Sequence, residues 1–486
     1  MRREPTLSFR REQAVLGLVG VLLIFGGLIA CMSSITVSAT EPIVASRSRA
    51  PSGQTPIATL ATAGPALISR SSGITNPNLI VTPAALPLQP VGTPFVDPVF
   101  GTTLRRVSNI SDGGGFETQE YSQLQAFSSD NAYALLTGSS GYVVRRVSDL
   151  SLVSSLDTAG WNAARWYPPQ PHTLIHFDDN SDTTIRVQLS NVDTLTTTTL
   201  FTFPAPYERL IVNRSSDELS EDGRWLAGVA TRSDGAWVIF AFDIQNRALG
   251  AQLPIPDLYP DSCAPDPDYG EIPPDWVGVS PLGRYLVVQW VRDGTARCSG
   301  LETFNLQTGA FVGRVYDGHQ HGDLGVQPDG NTEFFMAFEL YHPNGNLWLG
   351  IRELPGISSV SPPTYVQELD WGNGEHISCR GPNGACLVTA GSDPANGWTA
   401  FEAELFLQYT DGGVLRLAHH RSSSCGYWVQ PRASISRDGR YAIFASDWGR
   451  QLDCGDPIFG RGDPYMVELS SSITLTPTAY LPLIMR

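Results

Sequence analysis

Ser220-Glu221-Asp222-Gly223-Arg224-Trp225-Leu226 and Ser436-Arg437-Asp438-Gly439-Arg440-Tyr441-Ala442 are two copies of one unit, an Asp-Gly turn followed at once by an aromatic-led apolar run. Ser280-Pro281-Leu282-Gly283-Arg284-Tyr285-Leu286 and Gln327-Pro328-Asp329-Gly330-Asn331 repeat it with small changes. Looser copies are Ser129-Asp130-Asn131-Ala132-Tyr133, Pro168-Pro169-Gln170-Pro171-His172 and Gly381-Pro382-Asn383-Gly384-Ala385. The second turn residues fall at 131, 170, 223, 283, 330, 384 and 439, between 39 and 60 residues apart. That is the scale of a four-stranded sheet with variable loops. Asn or Asp followed by Gly tolerates the positive φ of a tight hairpin. The run after it (Tyr285-Leu286-Val287-Val288-Gln289-Trp290) suits a strand packed on both faces. One such sheet cannot cover its own faces, whereas seven arranged radially cover one another.

These marks resemble the TolB-type, or WD40-like, propeller repeats of bacterial envelope proteins over residues of about 95 to 470. The resemblance implies an all-β, seven-bladed propeller, here 96–470, and little about function. After the seventh mark one clear strand remains, Tyr465 to Leu469, so the last blade lacks an outer strand. Phe100 to Val107, ahead of the first blade, is placed to supply it and close the ring.

Outward from the repeat, composition narrows the chemistry. The 486 residues carry 48 acidic groups against 32 basic ones, a formal charge of −16, and every basic residue is Arg. Without Lys there is no Schiff-base lysine and no phosphate-loop lysine. The acid excess argues against nucleic acid. No GxSxG elbow occurs, and no second domain follows the repeats, which disfavours a prolyl-peptidase type of hydrolase.

Arg2, Arg3, Arg10 and Arg11 precede an uncharged run from Ala14 to Ala30, the outline of an export signal over 1–31. It ends in Leu28-Ile29-Ala30-Cys31, which resembles a bacterial lipobox with Cys31 as the lipidated residue. An uncleaved signal anchor fits equally, and cleavage after Ala39 is a third route. Each leaves the domain outside the cell membrane. Residues 32–95 read as a Ser/Thr/Ala/Pro-rich flexible spacer, and 471–486 as a C-terminal tail.

Six cysteines remain beyond Cys31, an even number that suits three disulfides in an exported chain. Cys298 and Cys454 each lie 15 residues past a mark, with Cys263 and Cys425 in the loops entering the same blades. The expected pairs are Cys263–Cys298 and Cys425–Cys454 on one face. Cys379 and Cys386 flank the turn Gly381-Pro382-Asn383-Gly384 and form the third pair.

The first strand of each blade lines the axis, and stepping back eight or nine residues from each mark reaches its opening. The residues there are Gln123, Asn162, Ser215, Asp275, His321, His376 and Gln430, all polar and expected to ring a ligand funnel. Gly318-His319-Gln320-His321-Gly322-Asp323 resembles strand-entry segments of propellers related to oligogalacturonate lyases. That likeness implies a divalent metal held by His321 and His376, completed by Gln430, His419 or His420. Imidazole suits Mn, Fe or Zn. Asp323 belongs to the same segment, and Arg432 is the candidate partner for a substrate carboxylate. Asp266 to Glu271 carries alternating oxygen ligands and is a weaker Ca candidate.

Three functions follow from this reading. The first is a binding module for a glycan or protein partner, with Trp276, Trp371, Trp428 and Tyr427 available for stacking on sugars. The second is a metal-dependent oligouronide lyase, and the third an architectural envelope component.

Overall fold

The computed structural model describes residues 73–139, 141–156, 164–178, 184–211, 217–258, 263, 265, 272–356, 362–393, 397–455 and 460–469. The export signal with Cys31, the tail, Asn162, Ser215 and Asp266 to Glu271 lie outside them. Among the described residues no helix is long and apolar enough to cross a membrane.

Seven antiparallel sheets follow one another along the chain, six of four strands and one of five. At six of the seven expected hairpins the marked residue has the left-handed conformation: φ is 59° at Asn131 and 66–75° at Gly223, Gly283, Gly330, Gly384 and Gly439. The mark at Gln170 turns without one, its N–H bonding to the Tyr167 carbonyl at 2.9 Å. Among the described residues seven apolar clusters fill the seven gaps between neighbouring blades. The second strand of each blade is accordingly apolar on both sides, as in Glu333–Glu339, buried throughout. This is the seven-bladed propeller expected from the repeat.

Closure also follows the expectation. Thr103–Arg106 pairs with the last strand, Asp463–Glu468, setting Leu104 against Val467 and Arg106 against Tyr465. A short fifth strand, Phe95–Val96, adds outside it. Arg106 reaches Asp463 at 2.6 Å, both being buried, so Asp463 is a closure residue.

The spacer expected up to residue 95 ends sooner. Ile74 bridges to Arg416, and Arg421 donates to the Ala84 carbonyl at 2.9 Å. Trp448 Nε1 holds the Leu86 carbonyl at 3.0 Å, while Leu86 and Leu88 pack on the cluster between blades 6 and 7. The segment shows no strand or helix period because isolated bridges at Ile74 and Val91 and side-chain donors to its carbonyls hold it in place of a ladder.

The loops from each outer strand to the next blade, and from second to third strand, emerge on one face, called the mouth face below. Cys263–Cys298 and Cys425–Cys454 join such loops, and Cys379–Cys386 links two strands beside the opposite, hairpin face. All three pairs are those expected.

On that hairpin face His172, from blade 2, lies 2.9 Å from Asp130 of blade 1 and 2.5 Å from Asp193. Burial opposes its charge, but hydrogen bonds to Asp193 and Asp130 and their negative charge outweigh this and raise its pKa above 6.5. A raised histidine pKa stabilises the fold below the unfolded value, and the gain disappears as pH rises through the folded value. Both aspartates are shifted down by their partners, so the link also fades as they protonate in acid. His172→Gln is therefore expected to lower the melting temperature most near about pH 5.5 and hardly at all above about pH 8. Thermal melts of both proteins across that range give the test, and a pH-independent difference contradicts it.

Candidate functional site

The inner strands start at the mouth face, which brings residues far apart in sequence to one place. His321, entering blade 5, and His376, entering blade 6, stack with ring centroids 4.5 Å apart at 21°. Tyr121 meets His376 edge-on at 5.3 Å. The Glu375 carbonyl accepts a hydrogen bond from His321 Nδ1. Arg432, at the entry to blade 7, lies 4.1 Å over the Tyr427 ring and 5.1 Å from that of Trp428. Its guanidinium donates to the Glu120 carbonyl at 2.6 Å, and its remaining hydrogen bonds also go to neutral oxygens. It is a fully buried cation.

Burial governs the electrostatics of this cluster. It lowers the pKa of His321, with the Glu375 hydrogen bond and Asp275 pulling the other way. Burial drives His376 well below 6.5, and the neighbouring His321 and Arg432 push it further, so this imidazole is neutral. Burial raises Glu375 to about 7 against a hydrogen bond from Ser424 and the charge of Arg432. The Tyr121 phenol is raised by burial and by Tyr427 and Asp275. Among the described residues, His376 Nδ1, Glu375 Oε2 and Gln123 Oε1 are buried here without a hydrogen-bond partner.

The other predicted residues are dispersed. Gln123 is at the axis, where Nε2 donates to the Gly322 carbonyl of blade 5 at 2.9 Å, crossing the ring from blade 1. Asp275 accepts from Gln289 at 3.1 Å. Gln430 is half-buried at the end of the short turn Tyr427–Val429. Asp323 lies deeper and belongs to the scaffold: its carboxylate accepts from the backbone of Cys379 at 2.5 Å and of Leu324 at 2.7 Å, 3.8 Å from Arg380.

His419 and His420 do not join the pair. His419 ends the outer strand of blade 6 and packs on Phe100, 5.0 Å between centroids. Both nitrogens of His420 are engaged, by the Ala390 carbonyl and the Ser422 N–H. An outer strand is the far edge of a blade, so neither ring reaches the axis. Trp276 and Trp428 are buried in the core, which removes them as sugar platforms; Trp371 is exposed.

Tyr121 and Glu375 escaped the sequence reading. Each neighbours a predicted position, Glu375 beside His376 and Tyr121 two residues before Gln123. Tyr121 lies beyond the short strand Glu117–Thr118, so no strand period marked it.

For a divalent ion the cluster offers two stacked imidazoles, one of them using Nδ1 on a carbonyl. Among the described residues no group of three or more His, Cys, Asp or Glu side chains is arranged to hold a metal. The Arg432 charge beside His376 opposes a second cation there. The residues do not fit a metal centre.

No family model matches the sequence, and no curated protein matches it. Solved structures do resemble it. An oligogalacturonate lyase in complex with manganese superposes with a TM-score of 0.53 at 13% identity, over 82% of this chain and 99% of that one. The oligogalacturonate lyase of Vibrio parahaemolyticus gives 0.52 at 11% identity, over 78% and 97%. TolB from Acinetobacter baumannii aligns at 0.31 and 15% identity, over 62% and 63%. At these identities the likeness is one of fold: this chain is a seven-bladed propeller built like those of the oligogalacturonate lyases.

Proposed function

We propose that this chain is an extracytoplasmic interaction module whose mouth face receives a glycan or protein partner. The observation that carries the reading is the set of buried polar atoms without partners among the described residues, gathered at the axis beside a buried Arg432. Buried polar groups are costly unless paired, so a cluster of them at one opening suits a ligand that supplies hydroxyls, carbonyls or a carboxylate. The staples Cys263–Cys298 and Cys425–Cys454 hold this face and fit an oxidising compartment. Tethering to the cell membrane through the N-terminus is part of the same proposal, and the mass of the mature N-terminus decides whether Cys31 carries lipid.

Binding on glycan arrays and in pull-downs tests the reading. His319→Ala and Tyr427→Ala, on the mouth face, are expected to weaken binding about tenfold or more. Arg440→Ala and Asp329→Ala, on the hairpin face, are expected to leave it unchanged. Equal effects from both sets overturn the proposal.

The second reading is a metal-dependent oligouronide lyase, favoured by the stacked His321–His376 pair and opposed by the donor set. Metal analysis decides it. A stoichiometric divalent ion lost in His321→Ala and His376→Ala, with absorbance from unsaturated uronide products, establishes the lyase. Lack of both removes it.

A further inference from the structure

Three exposed aromatic side chains lie together in the chain's topology. Tyr341 is 75% exposed, Trp371 45% and Trp398 38%. Tyr341 sits between the second and third strands of blade 5, Trp371 between blades 5 and 6, and Trp398 between the second and third strands of blade 6. These are three neighbouring loops of the mouth face. Among the described residues Phe311 is the other exposed aromatic, and its ring is covered by the Arg297 guanidinium at 3.6 Å.

The loops are fixed while the rings stay exposed, Trp398 resting one edge on His419 at 6.4 Å. Trp371 Nε1 donates to the Gly345 carbonyl at 2.9 Å, tying its loop to that of Tyr341. Next to it, Gly372 approaches Asp393 so closely that a Cβ would lie 2.9 Å from the aspartate Cβ. Asn373 donates to Thr399 Oγ1 at 2.9 Å, which binds the same loop to that of Trp398. His342 stacks on Trp348 at 4.6 Å, and Trp348 Nε1 reaches Asn344 at 3.3 Å, so the base of the first loop is packed too. Rigid Trp and Tyr rings offer large contact area at little entropic cost.

Charge identifies the occupant. Residues 340–346, 370–373 and 391–403 contain no Arg, while Asp370 and Asp393 lie among the aromatic residues and Glu368 is exposed on the adjoining strand. Carboxylates hydrogen-bond hydroxyl groups, and these segments supply no Arg to hold a uronate, sulfate or phosphate. The alternation of apolar ring face and polar edge matches a pyranose, which presents C–H groups on its faces and hydroxyls around its rim.

We infer that Tyr341, Trp371 and Trp398 form a stacking platform for neutral polysaccharide on the rim of blades 5 and 6. This rests on the interaction-module reading and narrows its partner to an uncharged glycan that also covers the rim of the mouth face.

The test is affinity electrophoresis of the full chain in gels containing a neutral polysaccharide (soluble cellulose derivative, glycol chitin, mannan or starch), with polygalacturonate as the acidic comparison. Retardation by a neutral polysaccharide is expected, with none by polygalacturonate. Each of Tyr341→Ala, Trp371→Ala and Trp398→Ala is expected to weaken it about tenfold or more. Arg440→Ala, on the opposite hairpin face, is expected to bind as the parent does. The three aromatic side chains are exposed, so unchanged melting temperatures separate lost binding from lost folding.

Binding abolished by His321→Ala and kept by the aromatic variants overturns the platform and leaves the axis as the site. Retardation by polygalacturonate alone overturns the neutral-glycan assignment. Failure of every polysaccharide, with a protein captured through these same rings or with binding to phosphatidylcholine vesicles, also overturns it. A captured protein partner leaves the interaction-module reading standing.

Discussion

Arg380→Met is expected to destabilise the domain by about 3–5 kcal/mol, the cost of leaving buried charge without its partner. Arg380 extends from blade 6 into the axis on the hairpin side of the mouth. Its Nη2 donates to both oxygens of Asp217 at 3.0 and 3.1 Å and to the Val279 carbonyl at 2.9 Å. Asp323 is 3.8 Å away, and all three side chains are buried. One guanidinium thus ties together inner segments of blades 3, 4, 5 and 6. Burial raises the pKa of Asp217, and raises Asp323 well above its ordinary value, even with this cation present. Without it both rise further.

A carboxyl whose folded pKa exceeds its unfolded value favours the fold at low pH, and that advantage is lost as pH rises through the folded value. The variant should therefore regain part of its deficit on acidification, relative to the parent. Arg380→Met combined with Asp217→Asn should recover part of the loss at neutral pH, because the two sites are in contact. Denaturant titration at two pH values measures both effects. An Arg380→Met protein as stable as the parent at neutral pH shows that the axis is hydrated and the charges are screened.

The second large effect is expected from removing the closing strands. A chain beginning at residue 108 loses Phe95, Phe100, Leu104 and Val107 from the core, each buried. At about 1.5–3 kcal/mol per buried side chain, their sum is comparable with the whole stability of a typical domain, about 5–15 kcal/mol. The cut also exposes Asp463–Glu468 as an unpaired edge and takes Arg106 from buried Asp463. Open edges invite intermolecular pairing. The expected product is aggregated or insoluble.

A chain beginning at Phe95 keeps both closing strands and loses only the segment fastened by Arg416, Arg421 and Trp448. It is expected to remain a folded monomer of lower melting temperature. Size-exclusion chromatography and circular dichroism of the two truncations give the comparison. A soluble, folded monomer from residue 108 would show that four-strand closure is dispensable.

The blade number, the hairpins, the N-terminal closing strand and all three cysteine pairs were legible in the amino-acid order. Each is encoded over short distances or by repetition: Asp-Gly or Asn at a position needing positive φ, an apolar run behind it, a cysteine at a fixed offset from the mark. Local conformational preference and spacing suffice for such features. The axis was not legible to the same degree. Offset counting reached His321 and His376, which do stack, whereas Asp323, taken from the segment Gly318 to Asp323, serves the Arg380 network. The lyase likeness also offered His419 and His420, which belong to the blade 6 edge. Gln123 reaches across the ring to Gly322, and Arg380 finds Asp217 at a separation of 163 residues. Which charges meet at the centre depends on side-chain length, on the stagger of seven inner strands and on who neutralises whom after burial. None of these has a period along the chain, so only the closed ring decides them.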